Sequence, residues 1–187
     1  LSYGGDTFPL PLPEPPVEVK GKPYIVIHDG WDNAFELDCN RPTKAIPFEF
    51  WVALVTALKE TYPGYSVVQI GGKKGEDVPN VDINFRGKIG FAKAISVLKG
   101  AALHIDSESG LVHFASALGV RSVVLFGPTN INWFGYGNNI NIPPASCGNC
   151  WWSTKDWMDR CPAGYGVPVC TAHSVERVIS DLSEAIR

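Results

Sequence analysis

The stretch Ala102-Leu103-His104-Ile105-Asp106-Ser107-Glu108-Ser109-Gly110-Leu111-Val112-His113-Phe114-Ala115-Ser116-Ala117-Leu118-Gly119 decides the fold. It reads as a short buried strand, a polar turn and a helix. Leu111, Phe114, Ala115 and Leu118 recur at i, i+3, i+4 and i+7, which lays one apolar face along the helix. Ser109 stands where an N-cap belongs, and Gly110 lets another group approach the backbone. A helix that starts at the carboxyl end of a parallel strand aims free N–H groups and its positive dipole end into the crevice where ligands of such sheets bind. His113 lies one turn in, on the exposed rim, within reach of the same anion. An ordinary capped helix with a surface histidine would show the same pattern, so the stretch needs support from the rest of the chain.

On the N-terminal side, Tyr24–His28 is a β-rich run that opens into a polar loop at 29–44. Phe48, Trp51, Val52, Val55 and Leu58 follow at helical spacing, with Pro47 placed to start that helix and Pro63-Gly64 to stop it. Ser66–Ile70 is a second strand, followed by a glycine-rich loop at 71–77. That loop matches neither the dinucleotide nor the Walker A pattern. Val81–Phe85 alternates as a third strand. Phe91, Ala94, Ile95 and Leu98 form the next helical face, closed by Gly100. On the C-terminal side, Arg121–Phe126 is a fifth strand broken by Gly127-Pro128. Val175, Val178, Ile179, Leu182 and Ile186 mark a last helix. Strands alternating with helices at this spacing predict an α/β fold, a doubly wound, mostly parallel sheet. The loops at its carboxyl edge would collect Lys44, Glu76, Lys88, Glu108, Ser109, Gly110 and His113 in one crevice. Lys44, taken singly, would pass for a solvated loop lysine.

Length and composition allow one sizeable core: 187 residues, 45% apolar and 19% charged. A net charge of −3 with no run of basic residues argues against nucleic acid as a partner. No apolar run approaches the ~18 residues of a membrane span. Residues 1–23 are Pro-rich and read as a linker or strap, with a single domain over 24–187. The start at Leu1 and the Pro-rich lead-in together raise the expectation of a fragment of a longer protein.

Cys147, Cys150, Cys161 and Cys170 are spaced C-x2-C-x10-C-x8-C in a loop-rich insertion, a finger at 147–170. Four thiolates there suit a structural Zn or Fe site, whose binding energy would fold a segment with little apolar periodicity. Two disulfides or four reduced thiols are the rivals. His173 is a substitute ligand, and Cys39 stands apart.

The run Glu108 to Gly119, followed by Val123-Val124-Leu125-Phe126-Gly127-Pro128-Thr129, resembles the donor-binding half of glycosyltransferase family 9. That family carries a D-[ST]-G-x-x-H-x-A-x-A-L-G…ALFGPT pattern. Thr43-Lys44 with Pro47 and Trp51 resembles its lead-in to the first helix, shifted in detail. Phe85-Arg86-Gly87-Lys88 is similar to its L-x-G-K/R-T turn. The resemblance runs from about residue 24 to the end and is most specific over 108–129. It implies one Rossmann-like half of a GT-B enzyme, inverting transfer without a catalytic metal, and a catalytic base in a separate acceptor-binding domain. By position, Lys44 and Ser109-Gly110 would hold the diphosphate, with His113 behind it. Glu76 would touch the ribose, and Glu108 would stand where the family has Asp against the donor sugar.

The implied donor is a nucleotide-sugar, ADP-heptose by family, and the implied acceptor a glycan or a lipopolysaccharide-type glycolipid. The implied place is the cytoplasm, peripheral to the inner membrane. Glu for Asp at 108 is one methylene longer, which puts the heptose in question. Two other readings stay open: a GT-B sugar-nucleotide epimerase, and a non-catalytic nucleotide- or glycan-binding module that docks a partner through its Cys finger.

Overall fold

The computed structural model describes residues 11–29 and 41–183. Among them, six strands form one sheet: β1 (Tyr24–His28), β2 (Ser66–Gln69), β3 (Ile83–Asn84), β4 (Leu103–Ser107), β5 (Ser122–Leu125) and β6 (Ile140–Ile142). All neighbouring pairs are parallel, in the order β3-β2-β1-β4-β5-β6. The helices are α1 (Phe48–Thr61), α2 (Phe91–Lys99), α3 (Gly110–Ala117), α4 (Ile131–Phe134) and α5 (Val175–Leu182). This is the doubly wound α/β sheet that the alternation predicts. Chain order reverses between β1 and β4, so the crevice at their carboxyl ends is the topological switch point.

The period of two along each strand divides the core. Ile25, Ile27, Leu103, Ile105, Val123 and Leu125 face α1 and α5, where Trp51, Leu54, Leu58, Val178 and Leu182 meet them. Tyr24, Val26, Val68 and Ile70 face the other way, onto Ile95 and Leu98 of α2 and Ala115 of α3. Tyr24 also fixes the end of α2: its hydroxyl donates to Val97 O at 2.7 Å. A Cβ on Gly100 would collide with that hydroxyl, so the glycine that closes α2 is required by close approach. The Pro-rich segment is described from residue 11, and it straps this layer. Leu12 packs against the same cluster, and Ser96 Oγ of α2 donates to Pro13 O at 2.6 Å.

Three elements depart from the sequence reading. β3 is shorter than 81–85, because the Asp82 side chain replaces a ladder partner by accepting from Val67 N at 2.8 Å. β6 was not foreseen, since Ile140-Asn141-Ile142 is too short to show a period; it pairs with Val123–Leu125 at the sheet edge. α4 is likewise a single turn capped by Asn130, whose Oδ1 accepts from Asn132 N. The last helix ends at Leu182, and Ile186 lies outside the described residues.

After β6 the chain enters the finger, residues 143–173, which closes over the carboxyl edge. Its backbone is tied down at few points. Ala145 N donates to Cys170 O and Trp151 N to Pro128 O, each at 2.9 Å. Thr43, just before Lys44, donates to Met158 O through its N–H and to Trp157 O through its hydroxyl, at 2.8 and 2.6 Å.

Candidate functional site

The β4–α3 turn is built on a buried polar network that hydrophobic periodicity does not show. The register sets His28 beside Asp106 and His104 beside Ser122 on the same sheet face. Asp106 is fully buried. His28 Nδ1 lies 2.9 and 3.0 Å from its two carboxylate oxygens, and Ser109 Oγ donates to it at 2.5 Å. Burial alone would lower the His28 pKa. The Asp106 charge and hydrogen bond, with Asp29, outweigh burial and the opposing Lys44, and the pKa ends raised. His104 goes the other way. Burial pulls its pKa down to about 4 against the attraction of Asp106, so it is neutral at pH 7. Its Nε2 stands 3.4 Å from Asp106 but makes no hydrogen bond.

Ser109 is the N-cap of α3, as the sequence indicates: its Oγ accepts from Leu111 N at 3.2 Å. With its proton on Asp106 and Leu111 N–H on its oxygen, the Ser109 hydroxyl has no donor left for a ligand. The Gly110 N–H, at the first helical position, has no intrahelical partner. Gly110 itself is exposed, and a Cβ added there would meet no side chain within 4 Å. Lys44 crosses the switch point to place its ammonium 3.3 Å from Glu108 O. Glu108 itself is buried, and burial raises its pKa against the pull of Lys44 and His113; the Thr129 hydroxyl also bonds its side chain. His113 Nε2 lies 3.7 Å from Glu108 Oε1, and its Nδ1 is 2.8 Å from the Tyr136 hydroxyl.

The structure therefore brings Lys44, Glu108, Ser109, Gly110 and His113 together at one end of the sheet. The other two have partners outside this group. Glu76 is exposed and pairs with Arg41 at 2.5 Å, on the rim of a cleft of about 740 Å³ between the α1 lead-in and the finger. None of the five residues just named lines that cleft. Lys88 is exposed and donates to Asn84 O at 3.0 Å, which keeps its charge at the β3 edge. Sequence reasoning did not pick out His28, Asp106, Thr129 or Tyr136. The available signal was His104 and Asp106 at a spacing of two inside an otherwise apolar strand, where a buried polar residue needs a partner.

The four finger cysteines are free thiols as placed; Cys39 lies outside the described residues. Burial, and then the neighbouring Cys147, Cys150 and Cys161, push the Cys170 thiol up to about 12. Burial, Cys161 and Cys147 raise Cys150 likewise. The four sulfurs thus lie within electrostatic reach of one another. Even so, among the described residues no group of three or more His, Cys, Asp and Glu side chains is arranged to hold a metal ion, so the expected Zn or Fe site is not formed by the side chains as placed. No helix among the described residues is long and apolar enough to cross a membrane.

A family model described as glycosyltransferase family 9 (heptosyltransferase) matches residues 17–150. No curated protein matches the chain. Among solved structures, the chain is similar to the ADP-heptose lipopolysaccharide heptosyltransferase II of E. coli, at 19% identity and a TM-score of 0.62, over 88% of this chain and 46% of that one. It is similar to the iron-containing dodecameric glycosyltransferase TibC of enterotoxigenic E. coli H10407, at 22% identity and a TM-score of 0.70, over 94% and 49%. It is also similar to the E. coli heptosyltransferase WaaC with ADP, at 18% identity and a TM-score of 0.60, over 91% and 46%. At these identities the likeness is one of fold. The chain spans about half the length of each.

Proposed function

The chain belongs to glycosyltransferase family 9, and on that premise we propose that it is the donor-binding half of an inverting sugar transferase that takes a nucleoside diphosphate sugar. The observation that carries this reading is the convergence, at the switch point, of the Lys44 ammonium on Glu108 O and the N-terminus of α3, which begins at the exposed Gly110. When the bond to the donor sugar breaks, negative charge develops on the departing diphosphate. A fixed ammonium, a free N–H and a helix dipole stabilise that charge without reorganising. Glu108, held by Thr129 and faced by His113, accepts hydroxyls of the donor sugar. The remote nucleotide supplies binding energy that orients the sugar.

The match to heptosyltransferases and to a structure holding ADP supports an ADP-linked donor, with heptose as the sugar. The acceptor in this reading is a glycan or lipopolysaccharide-type glycolipid. The base belongs to a partner domain, and the protein works in the cytoplasm at the inner membrane.

Calorimetric titration with ADP, UDP and GDP tests the donor site. The expected result is selective ADP binding that Lys44→Ala weakens by roughly 10- to 100-fold, the worth of one charge-assisted hydrogen bond. Binding of none of the three, or a Lys44→Ala variant that binds like the parent, overturns the proposal.

The finger is the second part of the reading. Four thiols in one loop-rich segment with a C-x2-C step are the chemistry of a structural Zn or Fe site, and the iron-containing relative adds support. A bound cation would reverse the thiol pKa shifts by holding the thiolates, and it would draw the four sulfurs together. Elemental analysis of protein purified without added metal is expected to give one ion per chain. A value near zero with four titratable thiols removes this part.

A further inference from the structure

Thr43 stands one residue before Lys44 and is buried, although it lies in the loop ahead of α1. A buried hydroxyl needs a partner, and here the partner is 114 residues further along the chain. Thr43 Oγ1 donates to Trp157 O at 2.6 Å and Thr43 N to Met158 O at 2.8 Å, so one residue takes two consecutive carbonyls of the finger. A turn presents those carbonyls: Asp159 N and Arg160 N both donate to Asp156 O at 2.9 Å. The Trp157 indole of that turn is 3% exposed, which anchors it.

The other bonds of the loop close it on itself and on α1. Ala45 N donates to Pro42 O and the Arg41 guanidinium to Ile46 O, each at 2.9 Å, and Ile46 is fully buried against α1. Lys44 leaves this loop to reach Glu108 O at 3.3 Å. A lysine carries its charge on a flexible four-carbon stem, so its ammonium keeps one place only where its backbone is held. The finger supplies that hold one residue earlier. It also holds the opposite wall of the site. Trp151 N donates to Pro128 O at 2.9 Å, next to the Thr129 that bonds Glu108. A Cβ on Gly127 would meet Thr171 Cγ2 at 2.9 Å and Cys170 Sγ at 3.6 Å, so the finger packs directly on the backbone of that wall.

We propose that Thr43 is a positioning residue that fastens Lys44 to the finger, so that diphosphate binding and finger closure strengthen each other. The diphosphate half rests on the donor reading above; the hold on Lys44 does not. By linkage, the factor that closure adds to diphosphate affinity is the factor that the diphosphate adds to closure.

Calorimetry with ADP on the full chain is the first test. Thr43→Val keeps the shape and the N–H but loses the hydroxyl. It is expected to weaken ADP roughly 3- to 10-fold, the worth of one hydrogen bond, while Thr43→Ser stays within about twofold of the parent. In a Lys44→Ala background, Thr43→Val is expected to cost nothing further, because its effect passes through the ammonium. An equal loss in both backgrounds would make Thr43 a general structural residue and overturn the proposal. So would a Thr43→Val variant that binds like the parent.

The second test needs no ligand. Acylation by a water-soluble amine reagent, mapped by mass spectrometry, is expected to quicken at Lys44 in Thr43→Val but not in Thr43→Ser, with the other lysines unchanged. Unchanged Lys44 reactivity in Thr43→Val overturns the hold. The third test uses the parent alone and so survives a variant that fails to fold. Saturating ADP is expected to slow hydrogen exchange at Thr43 and Trp151. ADP binding without that slowing overturns the coupling. A parent that binds no diphosphate, with Lys44 still quickened in Thr43→Val, removes the donor reading and the coupling and leaves the hold on Lys44 standing.

Discussion

The β4–α3 turn and the finger meet at the same edge of the sheet and are held in opposite ways. The turn is short and is held by polar contacts, His28 on Asp106, Ser109 on Asp106 and Leu111, Thr129 on Glu108, while the buried Ser107 hydroxyl is left without a partner. The finger runs from 143 to 173 with only a short 3-10 turn, Val169–Thr171, as regular structure. It leans on aromatic edges and a few backbone bonds to the 128 and 43 loops. The turn is therefore an extension of the sheet and should share its stability. The finger, tied down at few points, is expected to open on its own.

The largest expected effect comes from breaking the buried network under the turn. Asp106→Ala removes the buried carboxylate that faces His28 Nδ1 and accepts from Ser109, which is expected to cost about 3–5 kcal/mol in urea unfolding. A loss below about 1 kcal/mol would mean that register and capping hold the turn without the network.

Acidification attacks the same network next. His104 is neutral when folded, with a pKa near 4, while the unfolded chain takes up its proton near pH 6.5. Stability therefore falls as pH drops from about 6.5 toward 4, by about 3 kcal/mol over the window from this group. His28 acts in the opposite sense. Its folded pKa is raised, so its contribution is complete below about pH 6.5 and is lost as pH rises through the folded value. Unfolding curves of His104→Gln and His28→Gln against pH, subtracted from the parent, check both limbs. Identical profiles would show that neither histidine titrates differently on folding.

Trp157→Ala carries the comparison to the finger. A buried tryptophan in a shared core would cost about 3–5 kcal/mol when truncated. Here the global loss is expected to stay under about 2 kcal/mol, because the finger opens locally. Hydrogen exchange at Thr43 and Trp151 should quicken while the amides of β1 and β4 keep their rates. Equal quickening everywhere would make finger and sheet one cooperative unit.

The smallest effect is the most discriminating within the turn. Ser109→Ala removes the N-cap and is expected to cost about 1 kcal/mol. Its hydroxyl is already committed to Asp106 and Leu111, so ADP affinity should shift by less than about threefold, far less than for Lys44→Ala. A loss comparable to Lys44→Ala would mean that the hydroxyl turns to the ligand.

What the sequence determined by itself was everything with a period or a spacing. Alternation in the strands, the i, i+3, i+4, i+7 face after Ser109 and the punctuation by Pro63 and Gly100 made the doubly wound sheet legible. They also placed Lys44, Glu108, Gly110 and His113 at its carboxyl edge. Tertiary structure alone decided what depends on which residues become neighbours across the sheet. Register set His28 against Asp106, and the Ser109 hydroxyl is consumed by Asp106 and the Leu111 N–H. The path of the loops paired Glu76 with Arg41 and Lys88 with Asn84 O. Local periodicity encodes which face of an element is buried. It does not encode partners 78 residues apart, such as His28 and Asp106, because that contact exists only once the parallel strands have aligned.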